Sequence, residues 1–100
     1  LLPTVMEWNA DATGEKYRDI AKAMGENIDG LSTMDAARKA IAAIRQISEQ
    51  VGIPKNLREL GVKEEDFGIM AENAMKDVCQ LTNPRKATRE QVIGIFKAAY

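Results

Sequence analysis

The chain carries one thiol and no imidazole. The thiol, Cys79, lies in the stretch Lys76-Asp77-Val78-Cys79-Gln80-Leu81-Thr82-Asn83-Pro84-Arg85, where an apolar helical pattern gives way to an Asn-Pro-Arg turn. A cysteine can act as a nucleophile, a metal ligand or a small apolar packing group, and its surroundings decide which. With no histidine anywhere, the commonest acid/base partner and the imidazole metal ligand are both missing. A lone cysteine forms neither an internal disulfide nor a thiolate pair for zinc. No Gly-rich loop of the dinucleotide or P-loop kind is present. The carboxylates Glu64, Glu65 and Asp66 could hold a hard cation or move a proton, but they stand at the start of a predicted helix, where the dipole favours acids. Trp8 could stack on a ligand or close the edge of a helical bundle. Met24, Met34, Met70 and Met75 fit core filling better than a binding surface. The residues alone therefore assign no catalytic group and no metal ligand. Cys79, one position after Val78 in the last turn of its helix, reads most simply as a small buried hydrophobe, with a binding role left open.

The elements that would position these groups are almost all helical. Pro3 near the start suits a first helical turn over the apolar stretch Leu1 to Asn9. Asp11-Ala12-Thr13-Gly14 predicts a break. From Glu15 onward, Tyr17, Ile20, Ala21 and Met24 fall on one helical face, and Gly25 is placed to end it. Ser32 with Asp35 three residues later has the form of a capping box. It opens an apolar stripe of Met34, Ala37, Ile41, Ile44, Ile47 and Val51, which Gly52 and Pro54 close. Asn56 to Leu60 predicts one short turn before Gly61. Phe67, Met70, Ala71, Ala74 and Val78 then form a buried face. Asn83, which precedes a proline, is pushed out of the helical region. Thr88 with Gln91 repeats the capping form ahead of Val92, Phe96 and Ala99. Nothing alternates with the period of a strand. The expectation is an all-α bundle of about five helices joined by short loops, a single unit over residues 1–100.

Composition narrows the function classes. The apolar fraction is 45% and the charged fraction 29%, enough for a core and unlike a disordered chain. The 14 basic and 15 acidic residues nearly cancel, so no net field draws the chain to nucleic acid or to an anionic membrane. No run approaches the ~18 apolar residues of a transmembrane helix, and no secretory signal is visible. A single cysteine suits a reducing compartment, so a cytoplasmic location is expected. The start, Leu1-Leu2-Pro3, lacks Met and need not be the natural beginning of the gene product.

The stretch "MAENAMKDVCQLTNPRKATREQVIGIFKAAY" resembles the carboxyl end of the iron-containing alcohol dehydrogenases, in the branch that holds lactaldehyde reductases and 1,3-propanediol dehydrogenases. "MGENIDGLSTMDAARKAI" and "VGIPKNLRELGVKEEDF" resemble the part of the family that precedes it. "LLPTVMEWNA" is similar to the segment with which the family leaves its metal site. The likeness runs in order through all 100 residues. One departure is Thr4, where many relatives carry a histidine after "LLP".

The resemblance implies a two-domain parent enzyme. Its α/β domain binds NAD or NADP, and its helical domain holds a divalent metal, iron or zinc, through one Asp and three His. Hydride then passes between a small alcohol or aldehyde and the nicotinamide. The implied metal ligands and nucleotide loop all lie before Leu1, so this segment alone is expected to be inactive and to need the rest of the parent, itself expected to be a homo-oligomer. In that branch the cysteine at the position of Cys79 borders the nicotinamide end of the cofactor, and the loop from Gln80 to Arg85 borders the pocket. Asn83, Pro84 and Arg85 match the motif and are expected mainly to fix the loop. The alternative is an independent helical interaction module, with Trp8 and the Met-bearing faces as its docking surface.

Overall fold

The computed structural model describes residues Leu1–Tyr100 and contains helices, turns and no strand. Four α-helices, α1 (Leu2–Ala23), α2 (Thr33–Gln50), α3 (Phe67–Lys76) and α4 (Arg89–Ala98), are joined by three short 3₁₀ turns. The expected break at residues 11–14 is a kink instead. Thr13 leaves the helical region (φ −141°, ψ 22°) while α1 resumes beyond it. The number of straight helical runs is thus the five expected, two of them arms of one bent helix.

The ends of α1 and α2 follow the same chemistry. At α1, the Gly25 and Glu26 amides donate to the Lys22 and Ala21 carbonyls; at α2, the Gly52 and Ile53 amides donate to those of Glu49 and Ser48. This paired pattern requires a left-handed residue, and the glycines supply it with φ 85° and 76°. At the starts, Ser32 Oγ accepts from the Asp35 amide at 3.1 Å. Thr88 and Gln91 form the full reciprocal box, with bonds of 3.3 and 2.9 Å.

Two antiparallel hairpins make the body. In the first, α1 packs on α2 through small side chains, so that Ala21, Ala36, Ala37 and Ala40 are completely buried. Gly14, beside the kink, lets α2 approach; a Cβ there would lie 3.2 Å from Thr33 Cγ2. Ion pairing of Glu7 with Arg45 at 2.8 Å and a Thr33–Glu15 hydrogen bond at 2.8 Å bracket the seam. In the second hairpin, Leu57, Phe67, Ala71, Val92, Phe96 and Ala99 form one core cluster. Phe67 lies 6.0 Å from the Phe96 ring centroid and meets Tyr100 edge-on at 5.5 Å.

Several expected core positions are not buried. Ile47 and Val51, at the distal end of the α2 stripe, are 48% and 67% exposed, and Met75 is also exposed. Met24, Met34 and Met70 are half-buried, whereas Met6 is in the core. Glu64–Asp66 form their own 3₁₀ turn ahead of α3 rather than its first α-turn. No helix is long and apolar enough to cross a membrane.

Candidate functional site

The only thiol sits on an exposed corner, not inside a helix. The 3.6-residue apolar pattern carries α3 through Val78, but the helix stops at Lys76. Asp77 is the cause: its backbone turns extended (φ −71°, ψ 134°), and its carboxylate accepts a hydrogen bond from the Cys79 amide at 2.8 Å. A short polar side chain that caps a following turn competes with continuation of the helix. The result is a 3₁₀ turn over Val78–Thr82, closed by a bond from Thr82 Oγ1 to the Cys79 carbonyl at 3.3 Å. Val78, expected in the core, is instead 73% exposed, and Leu81 is 83% exposed. Cys79 is likewise not the small buried hydrophobe its local pattern suggested.

The same carboxylate sets the electrostatics of the thiol. Asp77 holds the Cys79 thiol above its ordinary pKa, by hydrogen bonding first and by its negative charge second. Bonds from Cys79, that of its amide foremost, hold the Asp77 carboxyl below its own ordinary value. Asp77 therefore shifts the thiol further toward its protonated, less nucleophilic form. The direction is that expected for a helix carboxyl terminus, but the group responsible is a side-chain carboxylate rather than the helix dipole.

Beyond Thr82, Asn83 takes the extended conformation demanded by Pro84 (φ −64°, ψ 131°). Its side-chain amide pairs reciprocally with that of Asn9 on α1, at 2.9 and 3.0 Å, and also donates to the Arg85 carbonyl. Arg85 Nη1 donates to the Trp8 carbonyl at 2.8 Å, the guanidinium stacks 3.7 Å from the Trp8 ring centroid, and Asp11 lies 3.7 Å from Nη1. Trp8 thus packs at the edge of the bundle under Arg85; its buried indole N–H has no partner among the protein atoms. Behind the corner lies a mostly apolar cavity of about 150 Å³, whose walls include Val5, Trp8, Gln80, Asn83 and Phe96. Local sequence reasoning missed Asn9 and Asp77. Asp77 had a visible signal as a turn-capping residue, whereas Asn9 is 74 positions from its partner.

Elsewhere the chain offers no metal centre. No group of three or more His, Cys, Asp or Glu is placed to hold an ion. Glu64 and Glu65 are exposed and Asp66 is half-buried; Asp66 accepts from the Lys63 amide and Glu65 pairs with the Lys63 side chain. The residues present do not fit a divalent metal site.

Comparison with known proteins places this arrangement in context. The model of the Fe-containing alcohol dehydrogenase family, C-terminal part, matches residues 1–100. The chain is 55% identical over 100 residues to the 1,3-propanediol dehydrogenase of Klebsiella pneumoniae, covering 100% of this chain and 26% of that protein. It is 46% identical over 100 residues to the lactaldehyde reductase of Escherichia coli (strain K12), with 100% and 26% covered. Among solved structures, 1,3-propanediol oxidoreductase superposes with a TM-score of 0.96 at 55% identity, over 99% of this chain and 26% of that one. An alcohol dehydrogenase from Oenococcus oeni gives 0.96 at 51% identity, over 100% and 26%. The chain therefore spans 26% of the length of these relatives. Family match, identity and superposition agree over essentially every residue, and the chain belongs to the Fe-containing alcohol dehydrogenase family, within its C-terminal helical region.

Proposed function

We propose that the chain works as the carboxyl-terminal helical part of an NAD(P)-dependent, metal-dependent alcohol dehydrogenase. The parent would interconvert small alcohols and aldehydes or ketones in the cytoplasm, as a homo-oligomer. The observation that carries this reading is the end-to-end family match, with the retained fold beside it. In this reading the metal ligands and the nucleotide phosphate loop would belong to residues outside these 100.

The chain's own contribution is the Cys79 corner. When bound, the nicotinamide cofactor carries the hydride. Cys79 would border its nicotinamide end as a neutral thiol, flanked by the exposed apolar side chains of Val78 and Leu81. It forms no covalent bond. Asp77 lowers the fraction present as thiolate, the form that would add to an aldehyde carbonyl. The corner thus provides shape and an uncharged surface rather than acid/base chemistry.

The test uses the full-length gene product. It is expected to oxidise a small primary alcohol with NAD or NADP, and chelation of its metal is expected to abolish turnover. Bound NAD(H) is expected to slow alkylation of Cys79. Cys79→Ser keeps turnover within a modest factor, while Cys79→Trp weakens cofactor binding or lowers turnover without changing metal content. A gene encoding a protein near this length, with no cofactor-linked oxidation, overturns the enzyme reading in favour of an independent helical interaction module.

A further inference from the structure

We propose that Asn9, Asn83 and Arg85 are positioning residues that clamp the Cys79 corner to α1, so that the corner meets the nicotinamide in one fixed pose. The inference rests on the reading of Cys79 as a cofactor-contacting residue. Burial does not hold the corner. Val78 and Leu81 point their apolar side chains outward, and the bonds inside the turn, from the Cys79 amide to Asp77 and from Thr82 to the Cys79 carbonyl, are local and exposed. A segment with few buried apolar contacts and exposed hydrogen bonds opens easily unless something ties it down.

The tie is polar and long-range. Asn9 is 4% exposed, and its amide and that of Asn83 each donate to the other at 2.9 and 3.0 Å, across 74 residues of chain. The second Asn83 N–H goes to the Arg85 carbonyl, which fixes the bend at Pro84. Two residues on, Arg85 engages α1 with a hydrogen bond to the Trp8 carbonyl, a stack on the Trp8 ring and the Asp11 charge. Removing the Asn83 amide deprives the buried Asn9 of both bonds of the pair, and removing Asn9 deprives Asn83 of the same two, so the pair acts as a unit. Asn83 also lines the cavity behind the corner, so the clamp and the hollow share a wall.

The experiment compares Asn9→Ala, Asn83→Ala, the double variant and Arg85→Lys in the full-length enzyme. Ser32→Ala serves as a control that removes the α2 cap far from the clamp. The readouts are Cys79 alkylation without cofactor, KM for NAD(H), kcat at saturating cofactor, and metal content. Each amide variant is expected to speed alkylation and raise the cofactor KM about tenfold, the size of effect one lost hydrogen bond can produce in ground-state binding. Change in kcat should be small, and metal content should not change. The double variant should be no worse than the worse single variant, because both singles break the same pair. Arg85→Lys should show a smaller shift of the same kind. If the amide variants lower thermal stability yet leave alkylation and KM at the Ser32→Ala values, the clamp has no positioning role and the proposal is overturned. Should Asn83→Ala fail to fold, Asn9→Ala and Arg85→Lys decide by the same readouts. If NAD(H) gives no protection in the unaltered enzyme while the variants still speed alkylation, the cofactor reading fails and the clamp stands.

Discussion

At Cys79 the decisive neighbour is two residues away. Asp77 stops α3, starts the next turn and raises the pKa of the thiol. Asp77→Asn keeps an oxygen to accept from the Cys79 amide but removes the charge. It should move the midpoint of the pH–alkylation profile downward and raise the rate near neutral pH several-fold; an unchanged profile would show that the carboxylate does not control the thiol. The sign for Asp77 follows from its lowered pKa. Its stabilisation of the turn is complete above the ordinary carboxylate range, near pH ~4, and is lost as pH falls through the lowered value. Hydrogen exchange at the Cys79 amide should therefore accelerate on acidification once the intrinsic pH dependence is removed. Family resemblance drew attention to this cysteine, but its exposure was not legible in the sequence. Periodicity extends a helix for as long as apolar residues recur, and it is blind to one carboxylate that satisfies a backbone amide better in another conformation.

Caps and core faces of the helices were legible because they are local. The Ser32 and Thr88 caps, the glycine ends of α1 and α2, and the Phe67, Ala71, Val92, Phe96 and Ala99 face all depend on residues within a few positions of one another. The kink at Thr13 was read as a break because Asp, Thr and Gly together mimic a stop. What keeps α1 going is tertiary: α2 packs against both arms, through the Glu7–Arg45 and Glu15–Thr33 contacts, with Gly14 facing Thr33 and Met34. Two substitutions test this level in denaturant unfolding of the parent. Thr88→Ala should cost about 1 kcal/mol through loss of the cap. Phe67→Ala, at a position 2% exposed and held between two rings, should cost ~3–5 kcal/mol. Equal costs for the two would mean that the aromatic cluster is not the core of the second hairpin.

As a whole, the molecule is a slab of 43 × 29 × 19 Å with only 17 of 100 residues buried, so its faces leave much apolar surface uncovered. Leu2, Val51, Ile53, Leu60, Ile69, Val78 and Leu81 are each more than half exposed. By itself the 100-residue chain should give a strongly helical circular dichroism spectrum and should self-associate. Light scattering that shows a clean monomer, with one cooperative unfolding transition, would contradict the reading that a larger body covers these faces. The amide pair between Asn9 and Asn83 also has a consequence in time. Its two partners are separated by nearly the whole chain, whereas α1 and α2 are neighbours in sequence and can dock while the rest is still emerging from the ribosome. Contacts that close so long a loop tend to form after the local ones. The lock on the corner should therefore be a late event in folding, absent from the transition state, and Asn83→Ala should speed unfolding while leaving the refolding rate nearly unchanged.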